Sequence, residues 1–176
     1  NRIAINVIER VPIAAVVLDR IEYLDAEGFV LPPVRSENIF DVPVLTGTFQ
    51  SSEVVPGKQI VRSDVREALA ILAAAQDLGV EVYRRISEIH LEPGKDIMLY
   101  TAESGVPVIF GRGDTGMKLA KLEGFWREIV SHHGAHELAY VDLRFDDQVV
   151  VRWSHDVEEA QTTKPGATKP AKAKKS

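Results

Sequence analysis

The chain has 176 residues, 45% of them hydrophobic and 27% charged, with a formal net charge of −5 and no cysteine. That is enough to bury the core of one ordinary domain, and the missing cysteines exclude disulfides, thiolate nucleophiles and cysteine zinc sites. No stretch reaches the ~18 consecutive apolar residues of a membrane span. The chain opens at Asn1 on a strand pattern, with no Met and no signal peptide, and reads as a piece of a longer protein. The charge is uneven. From Asp156 onward there are five lysines and three acidic residues, which leaves 16 basic and 23 acidic residues in the body. An acidic body argues against nucleic acid, because phosphate binding needs clustered Lys and Arg. Freedom from cysteine fits an oxidising compartment.

In chain order, Arg2 to Glu9 alternates Ile3, Ile5 and Val7 with polar or small residues, the pattern of a half-buried strand. After Pro12, Ile13 to Leu18 is a continuous apolar run. Ile21 to Leu24 and Gly28 to Leu31 flank Asp25-Ala26-Glu27-Gly28, a hairpin turn. Leu31 to Thr48 contains Pro32, Pro33 and Pro43 and reads as extended loop, and Gln50 to Ile60 as surface loop. Arg62 to Leu78 is the first clear helix, with Val65, Leu69, Leu72 and Ala73 at helical spacing. Ser63 or Asp64 would cap it, Glu67 suggests a capping box, and Gly79 stops it. Three strands follow, Ile86 to Leu91, Asp96 to Thr101 and Val106 to Phe110, punctuated by Pro93-Gly94 and Ser104-Gly105. A second helix, about Thr115 to His132, buries Leu119, Leu122, Trp126, Ile129 and Val130. Leu138 to Phe145 and Val149 to Trp153 are the last strands, joined at Asp146-Asp147. Beyond His155 the composition is Lys, Pro, Ala and Thr without apolar period, a disordered tail.

This order predicts an α+β domain, a mixed sheet with two helices packed on it. Val106 to Phe145 is a strand-helix-strand crossover, so its strands should be parallel. The last hairpin then puts Val149 to Trp153 antiparallel beside Leu138 to Phe145, inside the sheet or at its edge.

Residues that look like chemistry give little. Gly111-Arg112-Gly113-Asp114-Thr115-Gly116 matches G-x-G-x-x-G between a strand and a helix. A dinucleotide needs a second mononucleotide half, which is missing, and Asp114 would put a carboxylate among amides meant for pyrophosphate. A tight turn with Asp114 as N-cap is the favoured reading. His132, His133 and His136 place two imidazoles four residues apart, but Gly134 should end the helix between them, leaving a solvated helix end. His90 reads as a strand surface residue. Asp142 and Asp146/Asp147 form no acid pair, and nothing supplies a nucleophile with a base. No catalytic, cofactor or metal residue is assigned.

Four local signatures occur in order: Glu9-Arg10-Val11-Pro12-Ile13-Ala14; Pro43-Val44-Leu45-Thr46-Gly47; Gly111-Arg112-Gly113-Asp114; and Val141-Asp142-Leu143-Arg144-Phe145 with Val149-Val150-Val151-Arg152-Trp153. Together they resemble the FtsQ/DivIB family of bacterial cell-division proteins, over about Arg2 to Trp153. The resemblance implies the end of a POTRA-like domain over residues 1–14, a β-domain over 15–155 and a tail over 156–176. It implies a divisome scaffold without enzymatic activity or cofactor, held on the extracytoplasmic face of the inner membrane by an N-terminal span absent here. It also implies partners like FtsB and FtsL, strand addition beside the last strand, and a part in controlling septal peptidoglycan synthesis. Carried onto this chain, the partner site is Arg112, Arg144, Phe145, Asp147, Val149, Val150, Val151 and Trp153, with Arg85 before a strand. Val42 before Pro43, the Asp147-Gln148 turn and the Lys-rich tail depart from the family pattern. The alternatives are another POTRA-associated envelope-assembly module and a nucleotide-binding enzyme using Gly111 to Gly116.

Calorimetry separates the last alternative. Millimolar NAD or ATP should give no saturable heat, and a stoichiometric micromolar isotherm would overturn the non-enzyme reading.

Overall fold

The computed structural model describes residues 9–33 and 39–154. The strand expected over Arg2 to Glu9, all but its last residue, and the tail expected from Asp156 lie outside these residues. The strands are β1 (Ala14–Val17), β2 (Ile21–Leu24), β3 (Val44–Gly47), β4 (Ile86–Leu91), β5 (Ile97–Thr101), β6 (Pro107–Gly111), β7 (Leu138–Asp142) and β8 (Val150–Trp153). They form one eight-stranded sheet in the order β2-β1-β3-β4-β5-β6-β7-β8. β1 runs parallel to β3, β3 to β4, and β6 to β7, and the other neighbours are antiparallel. The helices are α1 (Ser63–Leu78), α2 (Val80–Arg84), α3 (Thr115–Phe125) and α4 (Ser131–His133), with a π turn at Trp126–Val130 between the last two. The α+β class, the mixed sheet and the parallel crossover through α3 agree with the sequence reading.

Period-two burial shows where the core sits. In β5, Ile97, Leu99 and Thr101 are buried while Met98 and Tyr100 are half-exposed. In β4, Ile86, Ile89 and Leu91 are buried while Ser87, Glu88 and His90 are not. The buried set faces Val65, Leu69, Leu72, Leu119 and Leu122 of α1 and α3 in one continuous core. Among the described residues, the helices therefore cover one face of the sheet and leave the other open.

Several expectations are corrected. The segment read as loop over Leu31 to Thr48 contains β3, a central strand with parallel neighbours on both sides. Only Leu45 of its four residues is fully buried, so neither alternation nor an apolar run announces it. The hairpin turn at Asp25 to Gly28 is present, with the Asp25 N–H donating to the Phe29 carbonyl at 3.1 Å, but Gly28 to Leu31 makes only one antiparallel bridge to β2, Val30 to Leu24, and not a full strand. Arg62, not Ser63 or Asp64, is the N-cap of α1, and the Asp64 carboxylate takes the N–H of its neighbour Val65 at 2.9 Å. The second helix is interrupted by the π turn, which rotates Ile129 outward to 39% exposure while Trp126 and Val130 stay buried. The short α2 was not foreseen. Its Tyr83 hydroxyl donates to the Ile13 carbonyl at 2.8 Å, and burial pushes that phenol up to about 12, so it stays a neutral donor.

Gly47 shows why the second signature ends in glycine. Its φ is 110°, and a Cβ there would lie 1.8 Å from the Leu91 carbonyl oxygen of the paired strand. Gly57 also has positive φ, 78°, but no atom lies within 4 Å of its Cβ position. Gly47→Ala should cost about 3 kcal/mol or more of stability, and Gly57→Ala about 1 kcal/mol. Urea midpoints measure both, and equal shifts would remove the Leu91 contact as the cause.

Candidate partner-binding edge

The sheet has two edge strands, and they are built differently. At β2 the chain folds back, with Val30 bridging Leu24 and the Leu31 N–H donating to the Tyr23 carbonyl at 2.8 Å. Glu22 lies only 6% exposed on the covered side of this strand, paired with Arg20. A turned-back segment and an inward carboxylate are both ways of refusing another strand. At the opposite edge, β8 carries Val150, Val151 and Trp153, all half-buried, and among the described residues nothing pairs with its outer side.

Hydrogen-bond parity settles which groups β8 presents. The Leu143 N–H donates to the Ile109 carbonyl at 2.9 Å, so the odd-numbered residues of β7 and its extension bond to β6. Tyr140 and Asp142 then bond across to their register partners Arg152 and Val150. Val151 faces Val141 at a non-hydrogen-bonded position, and its N–H and C=O point away from β7, toward the free edge. By side chain, Val149, Val151 and Trp153 pack against the helix-covered core. Val150 and Arg152 belong to the open face.

The expected site residues separate into two groups. At the start of β8, Phe145 is 45% exposed and Asp147 is exposed. The turn is held by Lys121 of α3, whose ammonium donates to the carbonyls of Phe145 at 2.6 Å and Asp146 at 3.1 Å. Lys121 had no signal in the sequence beyond being a helix lysine. At the far end of β8, Trp153 meets the His133 ring edge-on at 5.7 Å between centroids. Nearby, a cleft of about 400 Å³ is lined by Arg84, Arg85, Trp126, Ser131 and Gly134. Arg85 pairs with Glu123 and lies 5.4 Å from the Trp126 ring centre, so it is a wall of that cleft and not part of the edge.

Arg112 and Arg144 already hold carboxylates of this chain. Arg112 bonds Glu67 of α1 at 2.6 Å and the Lys95 carbonyl at 2.6 and 3.1 Å. Arg144 bonds Asp142, 2.7 Å at its shortest contact, and Asp96 at 3.0 Å. The stem of Arg144 crosses Gly111, where a Cβ would come within 2.8 Å of the arginine Cγ. The Gly111 to Asp114 turn has positive φ at Gly111, Gly113 and Asp114. Its Gly113 N–H is taken by Glu67 at 3.1 Å, so a carboxylate of α1 bonds an amide that a phosphate would need. Asp114 stands at the N-cap of α3 as expected, though its side chain makes no capping bond there. The histidine cluster is broken at Gly134, φ 89°. Among the described residues no three His, Cys, Asp or Glu side chains are placed to hold a metal. His90 shares Thr46 Oγ1 at 2.9 Å on the open face.

This fold is an α+β sheet module in which, among the described residues, one edge is covered by the returning chain and the other is not. Its sequence matches the family model described as cell division protein FtsQ/DivIB, C-terminal, over residues 15–144. It is similar to the cell division protein FtsQ of Geotalea daltonii, 31% identical over 154 residues, which cover 86% of this chain and 54% of that protein. The FtsQ of Rhodothermus marinus is 36% identical over 159 residues, covering 86% and 55% respectively. That of a Geobacter species is 32% identical over 152 residues, covering 86% and 54%. The chain belongs to the FtsQ/DivIB family of cell division proteins, and it spans about half the length of the curated relatives it matches. No helix among the described residues is long and apolar enough to cross a membrane.

The Asp142–Arg144 clamp, which supports the hairpin, has a pH signature. The guanidinium bonds of Arg144 hold the Asp142 carboxyl below its ordinary value. The stabilisation is therefore complete above the unfolded-state pKa, about 3.9, and is lost as pH falls through the lower folded value. Acid unfolding below about pH 4 should be shallower in Asp142→Asn than in the parent. Urea midpoints across that range measure it, and identical slopes would take this carboxylate out of the acid response.

Proposed function

We propose that this chain is the strand-accepting β-domain of a divisome scaffold, to which a segment of an FtsB-like partner adds beside β8. The observation that supports it best is the asymmetry of the two edges. β2 is capped by the returning chain and has an inward carboxylate, whereas β8 sets three half-buried apolar residues beside one exposed arginine and turns the backbone groups of Val151 outward. Main-chain hydrogen bonds would supply affinity in such a complex and alternating side chains selectivity. Phe145, exposed on a turn that Lys121 fixes, is the aromatic anchor next to the edge, with Asp147 beside it. Aromatic rings bury a large area at small entropic cost, which is why they dominate interface energetics. Val149, Val150, Val151 and Trp153 form the edge, and Arg85 marks a cleft that a longer partner segment reaches at the end of β8. In this reading the chain performs no catalysis and takes no cofactor. Residues 1–14 join it to a POTRA-like domain, residues 15–155 are the β-domain, and 156–176 are a tail. A membrane anchor in the longer protein holds the domain on the extracytoplasmic face at the septum. There, with FtsB- and FtsL-like proteins, it helps control septal peptidoglycan synthesis.

Titrating the domain with the extracytoplasmic segment of the FtsB-like protein tests the site. Phe145→Ala should cost about 2 kcal/mol or more of binding. Val151→Pro should abolish binding with the hairpin intact, since it removes an outward N–H. Val150→Pro removes a bond to β7 and should lower the melting temperature instead. Circular dichroism separates the cases, and undiminished binding by folded Phe145→Ala and Val151→Pro domains would exclude this edge.

A further inference from the structure

Resting on that edge-addition reading, we propose that Arg152 selects the charge of the incoming strand, so that the partner carries a carboxylate opposite it on the open face of the sheet. The other arginines near the edge are committed. Arg85 holds Glu123, Arg112 holds Glu67, and Arg144 holds Asp142 and Asp96. Arg152 is exposed and makes no ion pair among the described residues. It is the one charged side chain of β8.

Its position in the ladder strengthens the case. Arg152 is in register with Tyr140, and their backbone groups bond each other across β7 and β8. Relative to an added antiparallel strand, Arg152 therefore occupies a non-hydrogen-bonded position. Residues facing each other there come to about 4.5 Å between Cα atoms, closer than at hydrogen-bonded positions. A charge on the incoming residue is read at short range, and opposite charges attract while like charges are rejected. On the helix side the incoming strand meets Val149, Val151 and Trp153, which pack on the core. The fitting partner is thus a strand with apolar residues toward the helices and a carboxylate at one fixed place on the other side. A charged edge residue also discourages pairing between copies of the chain. Such a guard alone would show no preference for where the carboxylate sits.

The absence of cysteine makes a direct test available. Ser154→Cys puts a single thiol just past Trp153, at the end of β8 where the N-terminus of an antiparallel strand would arrive. Peptides of about ten residues, longer than an average strand, would alternate Val and Thr behind an N-terminal Cys. A single Glu, Gln or Lys would be moved through the Thr positions. Disulfide formation in a glutathione buffer gives the tethering equilibrium of each. Glu should exceed Gln by about two- to fivefold at one position, with Lys weakest there. The preference should collapse at about 1 M salt, where screening acts within about 3 Å. Arg152→Glu should reverse it toward Lys, and Arg152→Gln should abolish it, with melting temperatures unchanged. A flat profile, or one that Arg152→Glu leaves as it was, overturns the assignment. A Gln peptide that tethers no better than a proline-interrupted control shows that the edge takes no strand, and the edge-addition reading falls with it. A Gln peptide that does tether, with no effect of Glu position, removes the role of Arg152 alone.

Discussion

Every backbone N–H and C=O at the end of a sheet needs a partner, from water, from the same chain or from another, and this requirement organises the molecule. Eight strands in a single layer leave two such ends. One is partly closed from within, where the chain doubles back after β2 and the Leu31 N–H donates to the Tyr23 carbonyl. The other consists of four residues on a hairpin whose inner bonds are complete and whose outer bonds are directed away from the fold. The difference follows from parity: Leu143 bonding Ile109 fixes β7, β7 fixes β8, and β8 has no freedom over which amides it offers.

A polar girdle holds that hairpin in place. Glu67 of α1, Lys95 and Asp96 of the β4–β5 turn, Arg112 of the glycine turn and Arg144 after β7 are linked pairwise by hydrogen bonds. Lys118, 5% exposed, adds its ammonium to the Arg112 carbonyl at 2.7 Å. Two sequence signatures thus meet in space, because the glycine of one makes room for the arginine stem of the other. A turn that resembles a phosphate cradle is here a seat for an internal carboxylate. Its glycines serve backbone geometry and, at Gly111, close packing against the Arg144 stem.

Much of this was legible in the residues. Ile86 to Leu91 is a strand with the expected bounds because its apolar residues are flanked by a helix end and by Pro93-Gly94. The terminal hairpin and its antiparallel sense followed from two apolar runs around Asp146-Asp147. β3 was not legible, since a short central strand with one fully buried side chain has no period to read. The π turn at Trp126 was equally silent, because the apolar spacing of α3 continues through it with the wrong face for Ile129. Arginines near the edge could be named from sequence, but which were engaged could not. Glu67 lies 45 residues from Arg112 and Asp96 lies 48 from Arg144, and no local rule joins such pairs. Arg152 had a faint signal as the lone charge in an apolar strand. Lys121 had none, since its targets are backbone carbonyls 24 and 25 residues away.

The sheet order has a mechanical consequence. The chain reaches β1 next to one edge, where Tyr83 and the Arg10–Asp25 pair fasten the segment leading into it. β8 lies six strand spacings away, roughly 30 Å at about 4.8 Å each. A pull between the residues before β1 and a strand seated on β8 would cross a lattice of hydrogen bonds braced by helices on one side. The domain is then a stiff spacer of fixed width, and it would hold a strand docked on β8 at a set distance and angle from the residues preceding β1.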